Sequence, residues 1–283
     1  MKRIVILLMA AVVLSLAAVR CGTQQLVILH TNDTHSQIET ERVGERKDFG
    51  GVERRLQFID SERKKYGKKY VLLLDAGDYN QGTPYFTMAK GDLEVELMNA
   101  MKYDYATLGN HEFDNGQTEL ARRLKMANHQ TLCCNYDFTD TPLDGIVKPY
   151  AIVRRGGLKI GIIGATTYLE GVVLKSNLDG LKRLNTVEEI NKYADYLKNN
   201  QRCDLVILLS HLGYDGGSMK KPSDVFMAQN SKYIDIIIGG HTHTFLTEAT
   251  ELENQNGNKV VITQAGDKGI VVGKLELFTP VRF

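Results

Sequence analysis

Six apolar runs recur along the chain, each closed by polar or glycine positions. They are LVIL (26–29), YVLLL (70–74), YDYATL (103–108), LKIGIIG (158–164), DLVILL (204–209) and DIII (235–238). Runs of this length without polar alternation predict strands covered on both faces. Between them the spacing changes to three or four residues. Val52, Leu56 and Ile59 form one such stripe, Leu93, Leu97 and Ala100 a second, and Val187, Ile190, Ala194 and Leu197 a third. These predict amphipathic helices, the last opening with a Thr186–Glu189 capping box. Strand and helix in alternation predict an α/β domain with a largely parallel sheet. Two places predict antiparallel additions: AIVRRGGLKIGII as a hairpin around Gly156-Gly157, and KVVITQAGDKGIVVGKLELF as two strands around Gly266-Asp267-Lys268-Gly269.

The N-terminus departs from this pattern. Met1-Lys2-Arg3 precedes an apolar run, 4–19, broken only by Ser15. That is short for a spanning helix and suits an export signal. The expected organisation is therefore a signal peptide over 1–20 and one domain over 21–283. Leu16-Ala17-Ala18 shortly before Cys21 resembles a lipobox, which would make Cys21 a lipidation site and attach the protein to a membrane. Arg20 departs from that pattern, and plain cleavage after Ala17 is the alternative. The expected location is periplasmic or elsewhere in the cell envelope.

Composition narrows the function classes a little. The 283 residues carry 35 Lys+Arg against 34 Asp+Glu, a net charge of +1, so nothing points to a nucleic-acid partner. The charged stretches Ser61-Glu62-Arg63-Lys64-Lys65 and Lys68-Lys69 read as solvated helix ends. Cys133, Cys134 and Cys203 lack zinc-site spacing; they read as buried small hydrophobes, with one long-range disulfide left open.

The chemistry gathers where the runs end. LVIL leads into His30-Thr31-Asn32-Asp33-Thr34-His35, and YVLLL into Asp75-Ala76-Gly77-Asp78. YDYATL leads into Gly109-Asn110-His111, DLVILL into Ser210-His211, and DIII into Gly239-Gly240-His241-Thr242-His243. In open α/β folds ligands bind at the carboxyl ends of strands. Five endings at one sheet edge would bring Asp33, His35, Asp78, Asn110, His211, His241 and His243 into one cleft. Two carboxylates, an amide and four imidazoles suit two Zn, Mn, Fe or Co ions better than Ca or Mg. Two cations roughly 3.5–4 Å apart can polarise a phosphoryl group and acidify water. His30 reads as packed within its strand, His129 as a surface residue, and Asp75 and Glu112 as support behind the ligands. Ser210 and Ser218 lack a nucleophile-elbow context.

HTNDTH, DAGD, GNHEFD, SHLG and GGHTH, in this order, resemble the metallophosphoesterase catalytic domain of the 5′-nucleotidase/UDP-sugar hydrolase family, from about Leu26 to Phe278. The resemblance implies a four-layer α/β/β/α sandwich of the calcineurin-like type. It implies that Asp33, His35 and His243 hold one divalent metal and Asn110, His211 and His241 the other, with Asp78 bridging. It further implies His111 and Asp114 as the catalytic dyad, and hydrolysis of a phosphoester by a metal-activated hydroxide. Family members usually add a C-terminal domain that selects the nucleotide; nothing in this sequence matches it, so nucleoside specificity is expected to need a separate chain. The alternatives are a related hydrolase of broad or different specificity (a cyclic-nucleotide phosphodiesterase, a UDP-sugar hydrolase or a sulfur-ester hydrolase) or, remotely, a non-catalytic surface binding protein.

Overall fold

All six apolar runs form strands, and they divide between two sheets, as the four-layer sandwich implied by the family resemblance requires. The computed structural model describes residues 23–280, so the expected signal peptide and Cys21 lie outside the described residues. The strands are β1 (Thr23–Thr31), β2 (Thr40–Val43), β3 (Arg46–Gly50), β4 (Val71–Asp75), β5 (Tyr105–Thr107), β6 (Gln130–Leu132), β7 (Tyr136–Asp137), β8 (Tyr150–Arg155), β9 (Leu158–Thr166), β10 (Lys182–Arg183), β11 (Leu205–His211), β12 (Ile236–Ile238), β13 (Thr250–Glu253), β14 (Lys259–Thr263) and β15 (Gly273–Pro280). The α-helices are α1 (Val52–Tyr66), α2 (Pro84–Ala89), α3 (Asp92–Met101), α4 (Gly116–Met126), α5 (Thr186–Asp195) and α6 (Asp224–Asn230).

The first sheet has the order β15-β1-β4-β5-β6 and the second β13-β14-β12-β11-β9-β8. β1, β4, β5 and β6 run parallel, as do β9, β11, β12 and β14. The two sheets face each other through Leu26, Ile28, Leu72 and Leu74 on one side and Ile160, Ile162, Ile207, Leu209, Ile236 and Ile238 on the other. The alternate residues of the same strands point outward. Val27, Leu29, Val71 and Leu73 pack with Ile59 of α1 and Val95 and Met98 of α3. Ile163, Val206, Leu208 and Ile237 pack with Ile190 and Ala194 of α5 and Met227 of α6. Four layers result, α/β/β/α. The unbroken apolar character of each run follows, since both faces of each strand are buried.

Several expectations need correction. The hairpin at Gly156-Gly157 forms as β8–β9, but the tail strands do not pair with each other. β14 lies parallel to β12 in the second sheet and β15 antiparallel to β1 in the first. The loop around Gly266–Gly269 therefore crosses from one sheet to the other. The cap of α5 is Asn185 instead of Thr186, because the Thr186 hydroxyl is taken by Asn135 Nδ2 at 3.1 Å. Glu62 and Arg63 are buried, not solvated. Arg63 donates to the carbonyl oxygens of Met101 (2.6 Å) and Lys102 (2.8 Å) at the end of α3, and Glu62 pairs with Lys274 (2.6 Å). His129 is also buried, since the turn after α4 folds back so that its ring meets Tyr79 at 6.2 Å. His30 is buried as expected, with Nε2 at 3.1 Å from Thr263 Oγ1. Cys133, Cys134 and Cys203 are buried free thiols. Among the described residues no helix is long and apolar enough to cross a membrane.

Candidate metal centre and active site

Parallel pairing within each sheet puts the carboxyl ends of β1, β4 and β5 at one edge, and those of β11 and β12 at the facing edge. All seven predicted ligands lie at these ends or in the residues that follow them. The loops after β1 and β4 are zipped together: Asp33 N donates to Gly77 O (2.9 Å), His35 N to Asp78 O (3.0 Å) and Ser36 N to Tyr79 O (3.0 Å). Five of the seven predicted ligands turn through left-handed backbone, with φ of 49° at Asp33, 47° at His35, 55° at Asp78, 76° at His241 and 53° at His243. Each costs about 1–2 kcal/mol for a residue with a Cβ. Such strain persists only where the surroundings over-determine it, and it clusters at functional sites.

The side chains converge as two groups. Ligand atoms of Asp33, His35 and His243 lie within 4.8 Å of one another, and so do those of Asp78, His211 and His241. A third such group, His35, Asp78 and His111, links the two. His35 Nε2 faces His243 Nε2 at 3.0 Å, and Asp33 Oδ1 is 3.5 Å from His243 Nε2. His211 donates Nδ1–H to the Ala76 carbonyl (2.7 Å), which leaves Nε2 as the free nitrogen. That nitrogen lies 3.0 Å from Asp78 Oδ2, yet the pair is not aligned as a hydrogen bond, and Asn110 Oδ1 is buried with no partner. Buried acceptors that point at a common space without satisfying one another fit a divalent cation. The mixed N/O donor set fits Zn, Mn, Fe or Co.

Electrostatics agree. Burial pushes the His211 imidazolium down, but the Asp78 and Asp33 carboxylates outweigh it and raise the group to about 10. Burial raises the Asp78 carboxyl, and His211, His111 and His35 together hold it well below the usual range. Burial and then His211 lower His241 to about 4, so its ring is neutral and ready to ligate.

His111 and Asp114 sit beside these groups. The turn His111–Phe113 is 3₁₀, which eclipses positions i and i+3. His111 Nδ1 donates to Asp114 Oδ2 at 2.7 Å. Burial lowers the His111 imidazolium, while the Asp114 hydrogen bond and the Asp78 charge raise it further, for a net rise. The open cleft over the centre, about 320 Å³, is lined by His35, Asp78, Asn110, His111, His241 and His243, with Gln81, Gly82, Asp267 and Lys268 at its rim.

Support residues extend the predicted set. Asp75, expected behind the ligands, accepts from Thr31 Oγ1 (2.6 Å) and Gly77 N (2.9 Å). Glu112 is fully buried and turned toward backbone, away from the cleft. Asn32, unassigned by the sequence although it lies inside HTNDTH, donates to Asp33 Oδ2 at 2.7 Å and fixes that carboxylate. Asp267 brings Oδ2 within 3.5 Å of His243 Nδ1; as part of an expected hairpin turn it carried no signal. Asn177 donates to the carbonyls of Phe113 and Asp114 (3.0 Å each) from a segment with no motif at all.

Comparison with known proteins agrees with this geometry. Residues 26–245 match the calcineurin-like phosphoesterase family. The chain is 36% identical over 282 residues to a snake venom 5′-nucleotidase of Crotalus adamanteus, covering 92% of this chain and 46% of that protein. It is 32% identical over 294 residues to the 5′-nucleotidase of Homo sapiens, covering 95% and 49%. The crystal structure of a 5′-nucleotidase precursor from Thermus thermophilus superposes with a TM-score of 0.80 at 34% identity, over 89% of this chain and 51% of that one. The chain thus spans about half the length of the relatives it matches. On its fold, its motifs and these matches, the chain belongs to the calcineurin-like phosphoesterase family, as a metallophosphoesterase catalytic domain similar to those of 5′-nucleotidases.

Proposed function

We propose that this chain hydrolyses phosphomonoesters of the 5′-nucleotide type, an exported activity in nucleotide catabolism. The single observation that carries the reading is the juxtaposition of two ligand groups with an aligned His111–Asp114 pair in one open cleft. Asp33, His35 and His243 would hold one cation and Asn110, His211 and His241 the other, with Asp78 between them. When bound, the cations would supply Lewis acidity toward a phosphoryl oxygen and would lower the pKa of water. Asp114 fixes Nδ1–H of His111 and, with Asp78, raises its imidazolium, so that the protonated ring would present Nε2–H toward the phosphoryl or leaving-group oxygen. Asp114 orients that ring, and Asn32 orients Asp33.

None of the residues lining the cleft is an aromatic platform for a base, and none is an arginine. Nucleoside selection would therefore come from outside this cleft, on a further domain or a separate chain. A broader specificity for small phosphoesters is the second reading that this observation favours. Phosphate release from AMP and from p-nitrophenyl phosphate, with Mn²⁺ or Zn²⁺ added, tests both. Turnover of both substrates without preference supports the broad reading, and strong AMP preference by this chain alone would remove the need for a partner. No release from any ester with either metal would refute the hydrolase. Export and a lipid anchor at Cys21 are tested by palmitate labelling, with Cys21→Ser expected to abolish incorporation.

A further inference from the structure

Glu112 lies between the two loops that carry the bridging ligand and the His111 turn. It is buried, and its side-chain oxygens receive only backbone donors. Oε2 accepts from Asp78 N (2.9 Å) and Gly109 N (2.6 Å), and Oε1 from Tyr79 N (3.1 Å) and Asn80 N (3.3 Å). In the opposite direction Asp78 Oδ1 accepts from His111 N at 2.8 Å. The β4–β5 ladder itself pairs only Leu74 with Tyr105 and Asp75 with Ala106, so it ends before either loop reaches the centre. Beyond that point the loops are tied by these crossed bonds. The left-handed turn at Asp78 aims three successive N–H groups to one side, a concavity that favours an anion. Arg123, also buried, anchors the far side by donating to the Glu112 carbonyl at 2.9 Å.

We infer that Glu112, which touches neither substrate nor cation, is a positioning residue. It locks Asp78 and the Asn110–His111 turn into one rigid unit, so that the affinity of the centre for divalent cations depends on it. Burial and the Asp78 charge push its carboxyl up, to about 8, and the backbone donors oppose them. The donors decide which form the pocket is shaped for: a proton on either oxygen would face two N–H groups and no acceptor. The inference rests on the cation-binding part of the proposed function, and its test reads binding, not turnover.

The experiment is calorimetric titration of Mn²⁺ into the folded, cation-stripped protein and its Glu112→Gln and Glu112→Asp variants. In Glu112→Gln the amide NH₂ faces two N–H donors, and Mn²⁺ affinity is expected to fall by about 10–100-fold. Glu112→Asp keeps the charge but is one methylene shorter, and an intermediate affinity is expected. A residue that served folding alone would lower thermal stability equally with and without Mn²⁺ and leave the dissociation constant of the folded protein unchanged; that result would overturn the inference. Should Glu112→Gln not fold, Glu112→Asp decides, since wild-type affinity there overturns it equally. Wild-type protein that binds Mn²⁺ yet releases no phosphate would refute the proposed function and leave the role of Glu112 standing.

Discussion

Gly109 offers the sharpest probe of how tightly the centre is built. A Cβ placed on Gly109 would overlap Asp78 Oδ1 and sit 2.6 Å from Asp78 N and 2.7 Å from Asp78 Cγ. The backbone atom cannot retreat, because Asp78 N is bound to Glu112 Oε2 at 2.9 Å. Swinging the Asp78 carboxylate away relieves only the Oδ1 and Cγ contacts; the contact with Asp78 N also requires the Gly109 loop to move, and both shifts break the approach of Asp78 to His211 Nε2. Overpacking of this kind costs about 1–3 kcal/mol of stability. Displacing a catalytic group by about 1 Å costs on the order of 10²-fold in rate. Gly109→Ala is therefore expected to fold, to lose bound metal and to lose most turnover. The control is Gly145→Ala, where φ is 71° and nothing lies within 4 Å. There the strain of about 1–2 kcal/mol should appear in stability alone. The assays are metal content after dialysis, p-nitrophenyl phosphate turnover and urea midpoint for each variant. Gly109→Ala with wild-type metal content and turnover would refute the placement of Asp78.

Asp114→Asn removes a group that raises the His111 imidazolium, so the alkaline limb of the pH–rate profile should move to lower pH; an unmoved limb would separate Asp114 from His111. Burial lowers His30 and His129 from 6.5 to about 4. Both therefore stay neutral in the fold while the unfolded chain takes up protons below about 6.5. Stability is fully present above that pH and falls as pH drops toward 4, by up to about 3 kcal/mol for each histidine. Buried carboxyls raised by burial, Glu112 among them, change stability in the opposite direction, so the check is chemical unfolding at pH 7 and pH 5 of the wild type beside a His30→Gln, His129→Gln variant; an identical pH dependence in the two proteins would contradict it. Burial also pushes the Cys133 thiol up to about 12, and Cys134 is buried beside it, so neither should react with a thiol reagent until the protein unfolds. Stoichiometric labelling of native protein would show the burial to be wrong.

Much of the site was legible because its ligands follow apolar runs, and a strand end is a position that sequence pattern marks well. His111 and Asp114 were legible for a related reason, since three residues of separation in a short turn brings the two side chains together. Asn32 and Asp267 were not: Asn32 is held by the loop after β14, through Ala265 N and the Gly266 carbonyl, and Asp267 of that loop reaches His243 in the residues after β12. His129 misled, as an ordinary polar residue in a turn whose burial comes from Tyr79, far earlier in the chain. Arg63 misled in the same way: a charged run reads as solvated unless the end of another helix needs its hydrogen bonds.

By itself the sequence determined which segments are strands, which side chains end them, and that those side chains carry the donor types of a metal-ligand set. These are local properties, set by hydrophobic period and by the residue types just past each strand. The family resemblance implied two sheets, but only the tertiary structure decided which strand joins which sheet, that Asp33, Asp78 and His243 sit in left-handed turns, and that Glu112 ties two loops together. Those outcomes depend on which distant backbone N–H groups find an acceptor once the layers close. No spacing along a single chain encodes that choice, because it is made between segments that meet only in the folded protein.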